Sequence, residues 1–377
     1  MNPKVKKLLS FLFIFISVSV VVVIAFSNQE MGDAWEAISR LSLPWLAGLA
    51  LCWFVYGFFE AMGTWHCVRK RGSRMRLLSV YWTVLIGMYY SNITPGAAGG
   101  QPMQVNSLRK AGVPVGHGTL ALTIRFVSNQ FMVCIMGLVL FLINRSFVYK
   151  QLEGAIWAVR IGWLINFMSV PLVLLAAFRS DWIKALAAKL IRLGAKIRLV
   201  RDVEGATERA CRVLDSYHEA LIELARHPKE ILTQLLFSGI SLLGLMGSIV
   251  FTYYAFGQSG TRWDRVLTLS FLLFVSASYT PLPGASGAQE GGFLVYFRGI
   301  FKDGTIGLAL LIWRFFTYYL FLIVGVIVVL NEKFLMRREY RRLAAEAPKG
   351  AETPKIPEAA ETPETPKTPA EGDAGDA

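Results

Sequence analysis

The chain has 377 residues, 54% of them hydrophobic and 17% charged, a balance that excludes an ordinary soluble domain and marks a polytopic membrane protein. The formal net charge of +13 comes from Lys and Arg beside apolar segments, where retention in the cytoplasm and attraction to an anionic membrane surface account for it. No recognition module accompanies the charge, so nucleic acid is not an expected partner.

In chain order, apolar helices are predicted at about residues 8 to 26, 43 to 63, 116 to 144, 153 to 178, 229 to 257 and 303 to 331, each with the roughly 20 residues that cross a bilayer. The first follows Lys4, Lys6 and Lys7 like a signal peptide. Its apolar run is too long, however, and Ser27-Asn28-Gln29-Glu30 is a poor cleavage site, so a retained anchor is expected. Two further apolar segments, 76 to 112 and 264 to 301, are interrupted by Pro and Gly. The four cysteines, Cys52, Cys67, Cys134 and Cys211, lack CxxC or zinc spacing and read as packing residues.

The interruptions are two copies of one motif. The first reads Thr94-Pro95-Gly96-Ala97-Ala98-Gly99-Gly100-Gln101 and the second Thr280-Pro281-Leu282-Pro283-Gly284-Ala285-Ser286-Gly287-Ala288-Gln289-Glu290. Each precedes a long apolar helix with an arginine in the same place, Ile124-Arg125-Phe126 and Trp313-Arg314-Phe315-Phe316. Breaks at corresponding points of two halves are a sequence pointer to a transporter-type binding site.

Positive residues set the expected topology. Lys4, Lys6 and Lys7 keep the N-terminus in the cytoplasm, and Arg69, Lys70, Arg71, Arg74 and Arg76 return the chain there. The basic stretch 179 to 228 is also assigned to the cytoplasm. Only two full spans separate these regions, so segment 76 to 112 is expected to enter and leave from the cytoplasm as a re-entrant hairpin. Lys333, Arg337, Arg338, Arg341 and Arg342 place the C-terminus in the cytoplasm, which makes segment 264 to 301 a hairpin from outside. The expected fold is an all-α polytopic membrane protein with an inverted repeat, about six full spans and two re-entrant helical hairpins. Its halves are 1 to 145 and 153 to 331. If either hairpin crosses the membrane twice, the count changes and the inversion remains.

Residues 179 to 228 should form cytoplasmic amphipathic helices, with Trp182, Leu186, Leu190 and Leu193 at helical spacing. From about residue 344 the chain repeats Glu-Thr-Pro and Lys-Thr-Pro, so 344 to 377 is expected to be disordered.

Irregular backbone at membrane depth is tolerated only in protein or beside an aqueous cavity. The turns at Pro95, Gly96, Gly99 and Gly100, and at Pro283, Gly284 and Gly287, are therefore cavity candidates. The N–H groups that open the following half-helices favour an anion; tight packing of small residues is the competing explanation. Arg125 and Arg314 lie deep in their spans and need a partner or an aqueous cavity. Glu60 and Glu290 are the candidate partners. One reading is a structural ion pair; the other is a bidentate grip on a phosphate. Gln101, Gln104, Asn106 and Gln289 are candidates for a polar lining, with Asn92 and Ser286 beside them. His66, His117, His218 and His227 form no HExxH motif or cluster, and no P-loop is present, so neither an enzyme nor a cofactor or metal site is expected.

These residues resemble the flippase-like family known as the lysylphosphatidylglycerol synthase transmembrane region, which also forms the N-terminal part of the bacterial multiple peptide resistance factors. The resemblance covers about residues 8 to 331 and rests on Pro95 to Gln104, Arg125, Pro281 to Gly292 and Arg314. In the better-known branch the first motif reads Pro-Gly-Gly-x-Gly-Gly-Asp-x-x-Arg. Here Ala97, Gln101 and Gln104 replace the second Gly, the Asp and the Arg. The resemblance implies movement of a phospholipid or lipid-linked anion between the leaflets of a bacterial cell membrane. In the family this is sometimes coupled to a domain that aminoacylates phosphatidylglycerol; here the stand-alone form without that domain is expected, with any lipid-modifying enzyme on a separate chain. A homo-oligomer is compatible with this reading. A membrane scaffold for an envelope-lipid enzyme and a small-solute permease are the alternatives.

Overall fold

The computed structural model describes residues 38–39, 41–178, 180–196, 202–278, 280–302 and 304–346. The expected span at 8 to 26 and nearly all of the tail lie outside these. Among the described residues the chain is helical, without strands. Helices α1 (Leu43–Lys70), α4 (Val115–Ile143) and α9 (Pro228–Ala255) are long and apolar enough to cross a membrane. So is the rod formed by α12 (Ile306–Arg314), a π-helical turn at Phe315–Tyr319 and α13 (Leu320–Ala345). The segment expected to span at 153 to 178 is helical as α6 (Ile156–Phe178), and its described apolar stretch, Ile156–Met168, is shorter than a span.

Helices α1 and α9 run antiparallel along their whole length. The Ser42 N–H donates to the Ala255 carbonyl at 3.2 Å, and Trp45 stacks on Tyr254 with centroids 4.8 Å apart. At the other end Arg71 Nη1 donates to Glu230 Oε1 at 3.3 Å. Pro at the first turn of each helix starts it where the missing N–H costs nothing.

Both motif segments fold as a helix, a turn and a second helix. The first unit is α2 (Leu77–Ile93), a 3₁₀ turn at Pro95–Ala97 and α3 (Gly100–Lys110). The second is α10 (Trp263–Ala277), a 3₁₀ turn at Pro283–Ala285 and α11 (Ala288–Tyr296). Their turns share a left-handed Gly-Ala step and then diverge, at Ala98 (ψ −22°) and Ser286 (ψ 145°). Gly96 has φ 59° and ψ 24°, Gly284 has φ 60° and ψ 18°, and the following Ala97 and Ala285 are left-handed too, at φ 56° and 51°. Left-handed backbone at a non-glycine residue is uncommon, and both motif segments have it at the same place.

The two units meet opposite ends of α4. At its N-terminal end, both ends of the first unit bind the polar extension of α13: the Arg76 N–H donates to Glu339 Oε1 at 2.9 Å and Lys110 pairs with Glu332 at 2.7 Å. At its C-terminal end, both ends of the second unit bind residues 144 to 151, which include α5 (Arg145–Gln151). There Asn144 Nδ2 donates to Thr268 Oγ1 at 2.9 Å, and Gln151 Nε2 donates to the carbonyls of Tyr296 and Arg298 at 3.2 and 2.8 Å. The 29 residues of α4 separate the two ends by about 43 Å. The tips of the units touch one another, and Tyr318 Oη donates to the Asn92 carbonyl at 3.2 Å across the junction.

Each unit is wrapped in its own apolar core. One core joins Leu85, Leu108, Leu122 and Ile124 with Phe321, Val328 and Met336. The other joins Val148, Val159, Tyr253 and Leu269 with Phe293, Phe297 and Trp313. Helix α13 thus completes the core of the first unit, while α4 packs on α10 of the second. The sequence halves interlock. The amphipathic helices α7 (Ser180–Lys196) and α8 (Val203–Arg226) pair with each other, Lys184 meeting Asp215, and α8 packs along α4 and α6.

The 40-residue rod ending at Ala345 is about 60 Å long, twice the hydrocarbon thickness. Its charged end therefore protrudes. There burial alone would raise the Glu339 carboxyl, but hydrogen bonds from Arg342, the Arg76 N–H and Ser79 outweigh it and hold it below the usual carboxylate range. Its stabilising contribution is complete above the unfolded carboxylate value and is lost as pH falls through the lowered one. The Glu339→Gln variant should melt below wild type at pH 7, with the gap closing toward about pH 3. An equal gap at both pH values would contradict this. The turns allow a second comparison. A Cβ at Gly96 meets nothing within 4 Å, whereas one at Gly284 falls 2.1 Å from Tyr318 Cε2. Gly96→Ala should cost about 1 kcal/mol of backbone strain. Gly284→Ala should lower the melting temperature in detergent much further, and equal melting of the two variants would refute the Tyr318 contact.

Candidate functional site

The first arginine cluster joins five helices. Arg125 lies in the first half of α4, and all three guanidinium nitrogens are engaged. Nε sits 3.2 Å from Glu60 Oε2 of α1, Nη1 donates to Thr64 Oγ1 at 3.0 Å, and Nη2 donates to Gln104 Oε1 of α3 at 3.0 Å. The Gln104 amide nitrogen approaches the Val84 carbonyl of α2 at 3.5 Å. It lies across Gly87, where a Cβ would fall 1.8 Å from it. Glu60 is bound from the opposite side by Ser241 Oγ of α9, at 3.3 Å from Oε1. Desolvation makes such a pair depend on further hydrogen bonds, which Thr64 and Gln104 supply to Arg125.

The second cluster is more local. Arg314 Nε and Nη2 lie 2.7 and 2.6 Å from Glu290 Oε1, and Nη2 also donates to the Gly284 carbonyl at 3.2 Å. Glu290 Oε2 accepts the Gly287 N–H at 2.6 Å, closing the start of α11. The guanidinium carbon sits 5.5 Å from the Trp313 ring and 5.1 Å from the Tyr318 ring. Arg314 and Glu290 are 4% and 3% exposed, so the pair is sealed and fixes the second turn.

The turns are more open than the arginines. Pro95, Gly96, Ala97 and Ala98 are exposed, Gly99 is half-buried and Gly100 buried. Thr94 Oγ1 braces this turn, donating to the Tyr90 carbonyl at 2.6 Å and accepting the Gly99 N–H at 2.9 Å. In the second turn Pro283 and Gly284 are half-buried and Gly287 is exposed. Ser286 Oγ donates to the Pro283 carbonyl at 3.0 Å.

Of the polar candidates, Gln104 joins the Arg125 cluster, and Gln289 is buried next to Glu290. Gln101 is half-buried at the start of α3. Asn106 instead accepts from Arg109 at 3.0 Å at an exposed position, so it belongs to the base of the unit. Asn92 contributes its carbonyl to Tyr318.

Three residues of the site were not singled out from sequence, Thr64, Ser241 and Tyr318, and Thr94 was read as part of the first motif without a role of its own. Thr64 and Tyr318 each lie one helical turn beyond a candidate, Glu60 and Arg314, and that spacing was the available signal. An open groove lies elsewhere, between α4, α5 and α6, lined by Phe141, Tyr149, Trp163 and Phe167. Among the described residues no group of three or more His, Cys, Asp or Glu side chains is placed to hold a metal ion.

The sequence is similar to those of known proteins. A UPF0104 membrane protein of Archaeoglobus fulgidus is 25% identical over 325 residues, covering 81% of this chain and 92% of the relative. The family model for the lysylphosphatidylglycerol synthase TM region matches residues 8–325. Both Pro-Gly turns and both arginine clusters fall within that match, and this multi-pass membrane protein belongs to the lysylphosphatidylglycerol synthase TM region family.

Proposed function

We propose that this protein is a transporter, not an enzyme, and moves a phospholipid or another lipid-linked anion between leaflets of a bacterial plasma membrane. The observation that carries the reading is the meeting of the two turns, which come from opposite ends of α4 and are each backed by a buried arginine–carboxylate cluster. In this reading the two units are re-entrant hairpins of an inverted repeat, with both termini in the cytoplasm. Exposed turn backbone at Pro95 to Ala98 then lines an aqueous cavity, since lipid would leave its polar groups unsatisfied.

An anionic headgroup reaching the turns meets the positive end of α3 and, behind it, Arg125. Arg125 serves as the phosphate ligand. Its planar fork already holds three partners at hydrogen-bond distance, and it is preorganised for two phosphate oxygens. Arg314 and Glu290 keep the second turn in its left-handed form. Gln101 and Gln289 closely follow the two turns in sequence, and the proposal assigns them headgroup contacts.

Reconstituted vesicles carrying a fluorescent phosphatidylglycerol test the reading. The wild-type chain should accelerate leaflet exchange over empty vesicles. Arg125→Lys keeps the charge and loses the fork, so exchange should fall by about tenfold or more while melting and elution stay unchanged. No acceleration by the folded wild-type protein would contradict transport and favour the scaffold reading.

A further inference from the structure

The two arginine–carboxylate pairs differ in one chemical respect. The Glu290 oxygens are held by N–H donors: Arg314 Nε and Nη2 on Oε1, and the Gly287 N–H on Oε2. An N–H cannot accept, so a proton on Glu290 would have to displace one of these bonds. Glu60 is built differently. Its Oε2 faces Arg125 Nε, but its Oε1 faces the hydroxyl of Ser241, which both donates and accepts.

Ser241 has two acceptors in reach and a single hydrogen. Its Oγ lies 3.3 Å from Glu60 Oε1 and 3.0 Å from the Tyr56 carbonyl. With Glu60 ionised, the hydroxyl serves one acceptor at a time. With Glu60 protonated, the carboxyl O–H donates to Ser241 Oγ and the Ser241 O–H donates to Tyr56, so both contacts become hydrogen bonds. The neutral acid is therefore provided for by the geometry.

Resting on the reading of Arg125 as the phosphate ligand, we infer that Glu60 is a proton-exchanging carboxylate, so that an anion taking over Arg125 does so with uptake of one proton. The exchange balances. Before it, Arg125 cation and Glu60 anion neutralise each other. After it, Arg125 pairs with the phosphodiester anion, and the proton from water resides on Glu60, held by Ser241. Without the proton, the anion would leave an uncompensated carboxylate buried at 8% exposure, which low dielectric strongly opposes.

The charged and titratable groups facing Glu60 are Arg125 from α4 and Tyr56 from its own helix. Helix α9 presents Ser241, and one end of the same interface holds Glu230, paired with Arg71 and within 3.7 Å of Cys67 Sγ. Helix α3 presents the uncharged Gln104. Glu230 already has its own arginine, which leaves Glu60 as the acid linked to Arg125.

Calorimetry on the full chain in detergent tests this, with dihexanoylphosphatidylglycerol as the probe, because its phosphodiester stays ionised across the working range. Titrations near pH 7 in two buffers of different ionisation enthalpy count the protons taken up. Wild type should take up about one proton per probe bound, and its affinity should fall about tenfold per pH unit where free Glu60 is ionised. Glu60→Gln should bind with no uptake and no pH dependence. Binding by wild type without proton uptake overturns the coupling and leaves Arg125 as the phosphate ligand. Uptake that persists in Glu60→Gln also overturns it, and absence of probe binding overturns both readings. If Glu60→Gln does not fold, Ser241→Ala decides: binding weakened about tenfold supports the proposal, and binding equal to wild type overturns it.

Discussion

A guanidinium buried among apolar helices must be neutralised and hydrogen-bonded, and this requirement organises the whole molecule. Arg125 gathers α1, α2, α3 and α9 around α4 through Glu60, Thr64, Gln104 and, behind Glu60, Ser241. Arg314 gathers the second turn through Glu290 and the Gly284 carbonyl. The Arg314 pair thereby fixes a turn strained at Ala285, while Arg125 holds, through Gln104, the helix that follows the turn strained at Ala97. Strain of that kind persists where surrounding contacts over-determine it. Tyr318 supplies such a contact twice, packing on Gly284 and bonding the Asn92 carbonyl.

The two motif segments share the left-handed Gly-Ala step and differ in chemistry. With Pro95-Gly96-Ala97 set against Pro283-Gly284-Ala285, Glu290 falls opposite Pro102. A proline there cannot neutralise Arg125, and the acid comes instead from Glu60 on a different helix. The first arginine is consequently tied across helices, with a hydroxyl behind its carboxylate, whereas the second is tied within its own unit by N–H groups alone. One cluster is suited to exchange and the other to support.

Much of this was legible in the residues. The apolar runs located α1, α4, α9 and the final rod because twenty or so apolar residues have few other solutions. Pro95 and Pro283 marked the turns because proline breaks a helix and the adjoining glycines accept positive φ. Depth in an apolar span marked Arg125 and Arg314, and it pointed to Glu60 and Glu290 as partners, though which acid meets which arginine depends on packing. The roles of Thr64, Thr94, Ser241 and Tyr318 were not legible, since hydroxyls are common in membrane helices and become informative only when a neighbouring helix brings them to a charge. The interlocking of α13 with the first unit was equally hidden. It depends on Lys110, Arg76 and Gly112 meeting Glu332, Glu339 and Tyr340, contacts far apart in sequence.

The central claim is that the two helix–turn–helix units approach a common centre from opposite faces of the membrane. Single cysteines placed near Lys110 and near Lys302 on a cysteine-free background report this most directly when treated with a membrane-impermeant maleimide on intact and opened cells. The account predicts that the position near Lys110 reacts only when the cytoplasmic face is accessible, and that the position near Lys302 reacts from outside. Labelling of both positions from the same face would contradict it.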